Sequence, residues 1–233
     1  MSSVRKALTG IQRRSSTGES RWHHHYIALS LIDRWMREEA YAYAEGTLLD
    51  YGCGAQPYRE LLAGRITNYI GVDVAAAGGV KLDLIIRPGE PVPLADKTID
   101  TILSTQTLEH VHSPVDYMSE CHRLLRPGGH LILTVPMQWR MHEQPYDYWR
   151  FTRHGVTSLV HDAGMNLCAI SPCGGAWALI GQVINSHLSE TRRGSKAIFG
   201  IVNQLALWAD NTWHDEEETL GWMCIAQRPR PIE

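Results

Sequence analysis

The chain has 233 residues, a length that suits one domain carrying an insertion. Hydrophobic residues at 44% can fill a sizeable core, and a formal charge of −3 lacks the basic excess of a general nucleic-acid binder. The five cysteines are scattered, without a Cys-x-x-Cys pair or zinc spacing, so a reduced, cytoplasmic setting with no bound metal is the expectation. No apolar stretch is long enough to span a membrane, and the N-terminus has no signal-peptide core.

Residues 1–20 are polar, with Arg5, Lys6, Arg13 and Arg14 among serines and threonines, and read as a mobile arm. The run His23-His24-His25 is too short and too internal to be assigned to a metal. From Arg21 to Ala44 the apolar residues Leu29, Ile32, Trp35 and Met36 follow helical spacing. The stretch Thr47-Leu48-Leu49-Asp50-Tyr51-Gly52-Cys53-Gly54-Ala55-Gln56-Pro57 is an apolar run closed by an acid, two glycines and a proline. It predicts a buried strand, a tight turn and a helix start, the place where open α/β sheets take nucleotide-like ligands. A dinucleotide fingerprint needs Gly or Ala where Pro57 stands, and the lysine and hydroxyl of a P-loop are missing. Cys53 stands between the glycines where a hydrolase elbow would carry its nucleophile.

A short helix is expected over Tyr58–Leu62, then a second strand, Asn68 to Val74, ending in Asp73 and Val74. A carboxylate there can accept hydrogen bonds from both hydroxyls of a ribose. Val80–Ile86 reads as a third strand and Thr98–Ser104 as a fourth, leading into Thr105-Gln106-Thr107-Leu108-Glu109-His110-Val111. Asp116–Leu125 is amphipathic; Arg126-Pro127-Gly128-Gly129 is read as its stop, and Leu131–Pro136 as a fifth strand. A helix near His154–Ala163, a sixth strand near Asn166–Ser171, helical stretches over Ala176–Leu188 and Ala197–Trp208, and a last strand, Gly221–Gln227, follow.

The Asp-x-Gly-x-Gly turn resembles motif I of the class I S-adenosylmethionine-dependent methyltransferases. The later Leu-Glu-His-Val and Leu-Leu-Arg-Pro-Gly-Gly segments, in that order and spacing, resemble the same family closely. The resemblance covers residues 45–170. It continues through His142-Glu143-Gln144-Pro145-Tyr146-Asp147-Tyr148-Trp149-Arg150, a segment similar to one in bacterial methyltransferases of glycan or secondary-metabolite pathways. It implies a Rossmann-like, doubly wound α/β sheet, mostly parallel with an antiparallel last strand at its end. An N-terminal helix and a helical insertion at 174–215, within a domain of residues 21–233, complete that expectation. It also implies S-adenosyl-L-methionine as cofactor. Asp50, Tyr51, Gly52 and Gly54 would shape its methionine side, Asp73 and Val74 would take the ribose, and Thr105 and Gln106 would line the floor. The N-terminal helix often lids the cofactor in this family, which makes Tyr26 and the three histidines candidate contacts. The acid that often takes the adenine amino group falls near Pro88 here, leaving a backbone group or Glu90 to substitute.

The expected reaction is methyl transfer to oxygen or nitrogen of a small molecule. His110, on the rim after the fourth strand, is the leading general base because histidine titrates near neutral pH, and His142 is the second choice. A capping role for Glu109 and His110 stands beside that reading. The pattern Gln106-x-x-Glu109-His110 is similar to one in metal-dependent relatives that begin with Glu; the neutral Gln weakens a metal site, and none is assigned. Tyr146, Tyr148, Trp149 and Arg150 suit a sugar ring or an aromatic acceptor, unless Arg150 simply pairs with Asp147. Six of the eight tryptophans lie after residue 138 and build either an aromatic pocket or ordinary core. Two other classes stay open: a catalytically silent cofactor-binding scaffold, and a macromolecule methyltransferase using a groove with Arg13, Arg14, Arg192 and Arg193. Neither a nucleic-acid nor a membrane partner is expected.

Overall fold

The computed structural model describes residues 20–77 and 79–231, so the arm expected over residues 1–20 lies almost wholly outside the described part. Helix α1 (Tyr26–Glu38) and a 3-10 turn (Ala40–Tyr43) precede strand β1 (Gly46–Tyr51). A one-turn helix α2 (Arg59–Leu62) leads to β2 (Ile66–Asp73), a short β3 (Leu84–Ile85) and β4 (Ile99–Thr105). A 3-10 turn (Leu108–His110) and α3 (Pro114–Leu124) lead to β5 (Leu125–Pro136). Then come α4 (Arg153–Asp162), β6 (Asn166–Pro172), the pair α5 (Ala176–Glu190) and α6 (Lys196–Thr212), and β7 (Gly221–Gln227).

The seven strands form one sheet in the order β3-β2-β1-β4-β5-β7-β6. Strands β1 to β5 pair in parallel, and β7 runs antiparallel to both neighbours. The antiparallel last strand was expected; its place was not, because β7 lies inside the sheet and β6 forms the edge. Alternation along each strand sends neighbours to opposite faces. Leu49, Ile102, Leu131 and Leu133 pack under α3 and α4 with Met118, Leu124, Val156 and Val160. Leu48, Leu103, Ile132 and Ile225 pack under α1 and α5 with Ile32, Trp35, Ala178 and Leu179. Both faces are covered, so these strands read as unbroken apolar runs. Each fully buried Leu or Ile stabilises the fold by roughly 1.5–3 kcal/mol.

The stop expected at Arg126–Gly129 is instead the first part of β5. The Arg228 guanidinium donates to the carbonyls of His122 and Leu125, and the backbones of Gly128 and Gly129 exchange hydrogen bonds with Arg228. A Cβ at Gly129 would meet the carbonyl of Asp100 at 2.9 Å, so close strand approach uses that glycine rather than a helix exit. The expected third strand shrinks to two residues; just before it Asp83 pairs with Gly71 through both its backbone N–H and its carboxylate.

The sheet order reverses between β1 and β4, which makes their carboxyl ends a topological switch point. There a crevice opens into a cavity of about 1500 Å³.

Candidate functional site

The turn after β1 is built by its glycines. Gly52 and Gly54 have φ of +82° and +51°, which glycine adopts without steric cost. The N–H groups of Gly52 and Cys53 both donate to the carbonyl of Val72, tying the turn to β2. A Cβ on Gly52 would collide with Thr107, so the turn and the loop after β4 close on each other. Tyr51, Gly52, Gly54, Asp73, Val74, Thr105 and Gln106 all line the cavity.

The two strand-end acids have different surroundings. Asp73 accepts from the N–H of Gly54 at 2.9 Å through one oxygen and from Val74 at 2.6 Å through the other. It lines the cavity. Asp50 is 1% exposed and is not among the lining residues; it lies beneath the turn, taking a hydrogen bond from the Tyr69 hydroxyl. Burial pushes its carboxyl up to about 7, against the pull of Tyr69 and with a contribution from Asp73. Its role is in the floor under the turn rather than at the cavity wall.

Gln106 has φ of +52°, an uncommon conformation for a residue with a side chain. Its backbone N–H donates to Thr134 O at 2.9 Å and its amide to Thr134 Oγ1 at 3.2 Å. Such conformations concentrate at functional sites. The following 3-10 turn sets His110 at the rim. Its Nδ1 lies 2.9 Å from the carbonyl of Tyr146, which can only accept. Nδ1 therefore carries the proton, and Nε2 of the neutral ring carries the lone pair. Nε2 is 3.9 Å from Glu109 Oε1 and 3.7 Å from Glu143 Oε2. The His142 ring stands edge-on to His110 with centroids 4.8 Å apart. Burial, helped by His110, lowers the His142 pKa, while Asp147 opposes that shift. Glu109, His110 and His142 bring three potential ligand atoms within 4.8 Å of one another.

The loop after β5 is pinned to this turn. The N–H groups of Tyr148 and Trp149 donate to Glu109 O, and the Trp149 indole donates to Val111 O. Arg150 grips Asp147 with two hydrogen bonds of 2.7 and 2.9 Å and also donates to the carbonyls of Trp139 and Arg140. Burial alone would raise the Asp147 carboxyl, but Arg150 and the His142 N–H hold it at about 2. Arg150 is thus a loop clamp. Tyr146 and Tyr148 line the cavity; Trp149 and Arg150 do not.

The roof comes from residues far apart in sequence. His23, His24 and His25 line it, together with Ala28, Leu29 and Ile32 of α1; Tyr26 does not. Gln182 of α5 donates to His24 O at 3.0 Å, and buried Asn203 of α6 donates to the carbonyls of Arg21 and His23. Trp139, Cys173, Trp222 and Met223 also line the cavity, with the Trp139 ring 5.3 Å from that of His25. Of the six late tryptophans only Trp139 and Trp222 face the cavity. No local pattern marks Trp222 or Met223, because they enter only through the placement of β7. The wall near the expected adenine carries Ile85, Ile86, Pro88 and Glu90. Arg192 and Arg193 lie outside the lining, and Arg13 and Arg14 lie outside the described residues.

A family model described as a methyltransferase domain matches residues 22–166, more than half of the chain. A probable S-adenosylmethionine-dependent methyltransferase of Mycolicibacterium smegmatis is 32% identical over 96 residues, covering 38% of this chain and 37% of that protein. A ubiquinone biosynthesis O-methyltransferase of Cereibacter sphaeroides is 27% identical over 147 residues, covering 51% and 60%. The chain thus spans between 37% and 60% of the length of these curated relatives. Among solved structures, a geranyl diphosphate methyltransferase in complex with GPP and sinefungin has a TM-score of 0.58 at 12% identity, covering 86% and 82% of the two chains. That likeness is one of fold.

Proposed function

Because the chain belongs to the class I S-adenosylmethionine-dependent methyltransferases, we propose that it moves a methyl group to oxygen or nitrogen of a small molecule, such as a sugar or a secondary metabolite. S-adenosylmethionine is the cofactor of this family, and the residues present fit it. Asp73 offers a carboxylate at the end of β2 for the ribose, and Gly52 and Gly54 let backbone approach the ligand closely. A cavity of about 1500 Å³ exceeds the roughly 300–1000 Å³ of a single small-ligand pocket, leaving room for an acceptor beside the cofactor. That room argues against a silent scaffold.

The observation that carries the reading is the orientation of His110. With Nδ1 committed to Tyr146 O, the basic Nε2 is set to take a proton from an acceptor hydroxyl or ammonium. The carboxylates of Glu109 and Glu143 stand opposite the positive charge that appears there when the proton arrives. When bound, S-adenosylmethionine supplies a methyl group already activated by its sulfonium. The chain's share is to hold the acceptor in line, exclude water and receive the proton. His142, with its lowered pKa, stays neutral at pH 7 and is the second candidate for that proton. The reading assigns no metal, because the amide of Gln106 is engaged with Thr134 rather than turned to the Glu109–His110–His142 cluster. The curated O-methyltransferase relative supports transfer to oxygen.

The test is a thermal-shift titration with S-adenosylmethionine, then mass spectrometry of candidate acceptors for the gain of one methyl. On the acceptor found, His110→Ala should lower kcat by about 10²–10⁴-fold while leaving cofactor affinity unchanged. Turnover should survive dialysis against EDTA. An unchanged rate and pH profile in the variant would remove His110 from the reaction. Loss on chelation, restored by a divalent cation, would assign the cluster to a metal.

A further inference from the structure

Helices α5 and α6 lie side by side and antiparallel. A Cβ on Gly181 would collide with Ala206, and Asn185 donates to Asn203 at 2.7 Å inside the contact. Their inner faces pack on the body of the protein. Their outer faces are apolar: Ile180, Val183 and Ile184 on α5, and Ile201, Leu205 and Trp208 on α6, are 43–60% exposed. Trp213 joins the two stripes, its ring 6.2 Å from Trp177 and 5.4 Å from Trp208. Nine of the fifteen large exposed hydrophobics among the described residues fall on this one surface, so it is a patch and not scatter.

The patch has charged ends of opposite sign. Arg192, Arg193 and Lys196 are exposed where α5 passes into α6. At the other end Asp215, Glu216 and Glu217 are exposed, with the backbone of Asp215 against Gly175 at the start of α5. An anionic bilayer would be repelled by the acidic end, beside the tryptophans. A second copy of this chain would not. A two-fold axis in the plane of the patch and across the helices sets each basic end against the partner's acidic end.

We propose that this surface is the interface of a homodimer, in which α5 and α6 of two copies form a four-helix layer. A helix of 17 residues is about 25 Å long, and two at roughly 10 Å spacing present on the order of 500 Å² in projection. With the charged flanks this approaches the roughly 800 Å² per partner of a stable interface. The same helices hold the roof of the cavity through Gln182 and Asn203, so dimerisation braces the roof.

Sedimentation velocity of the full chain from about 1 to about 100 µM tests the proposal. The expected result is twice the chain mass. Leu205→Glu should weaken self-association at least about tenfold while keeping the thermal shift with S-adenosylmethionine. The double change Arg192→Glu and Arg193→Glu should also weaken it, and adding Glu216→Arg and Glu217→Arg should restore it. A single-chain mass at every concentration, or a dimer indifferent to Leu205→Glu, overturns the interface. A monomer that binds phosphatidylglycerol vesicles through Leu205 overturns it in favour of a bilayer.

Discussion

Asp50 and Asp73 end neighbouring strands, and their chemistry separates because only one faces the cavity. Asp73 lines the cavity and is proposed to take the ribose hydroxyls, and a hydrogen bond to a charged group contributes about 1.5–3 kcal/mol. Asp73→Asn should therefore weaken S-adenosylhomocysteine binding by about 10–100-fold in titration calorimetry. Asp50 is held by burial, and its pKa rises from 3.8 to about 7 on folding. Between those values the folded chain keeps a proton that the unfolded chain releases, so this contribution to stability falls as pH rises through the window. The loss is on the order of 2–4 kcal/mol across it. Asp50→Asn should remove that slope: from about pH 5 to about pH 8 the native protein loses thermal stability relative to the variant. Parallel melting curves against pH would count against a protonated Asp50. The sequence marks both acids as strand ends but says nothing of the Tyr69 hydroxyl that caps one of them. Nor does it reveal the Tyr146 carbonyl that fixes His110, since any residue supplies a carbonyl.

At the scale of elements, the central strands were legible because burial on both faces leaves unbroken apolar runs, whereas the short edge strand β3 was expected to be longer. The paired helices of the insertion were legible from their spacing. Arg126–Gly129 misled because a Pro-Gly-Gly run suits either a helix exit or a strand pressed against its neighbour; the Arg228 contacts decide for the strand. The late tryptophans were ambiguous for a similar reason, as an apolar position does not say which surface it will meet. Asn203 shows how one helix serves another. It is fully buried, donates to Arg21 O at 2.8 Å and His23 O at 3.0 Å, and accepts from Asn185. Asn203→Ala leaves those groups unpaired, at about 1–3 kcal/mol. The variant should melt lower and bind cofactor more weakly, because the histidine segment above the cavity loses its anchor. A lowered melting temperature with unchanged affinity would separate that segment from the ligand.

The whole molecule gathers its cavity from stretches spread along the chain, among them residues 23–32, 51–57, 105–117 and 220–223, with the ends of β2 and β3 and the loop after β5. Residues 51–57 and 105–117 are local motifs and were readable. Residues 23–32 and 220–223 join them only through long-range packing, which no window of sequence reports. Strand β7 is the most distant contributor, and it enters between β5 and β6, pairing with Val135 on one side and Ser171 on the other. During synthesis both of those neighbours emerge from the ribosome first. Until Gly221–Gln227 follows, β5 and β6 each carry a row of unsatisfied amide and carbonyl groups, an invitation to stray pairing. Its arrival thus hides two adhesive borders and adds Gly221, Trp222 and Met223 to the chamber wall in one act, so a chain whose β7 has not yet joined the sheet has an open chamber and is prone to clumping.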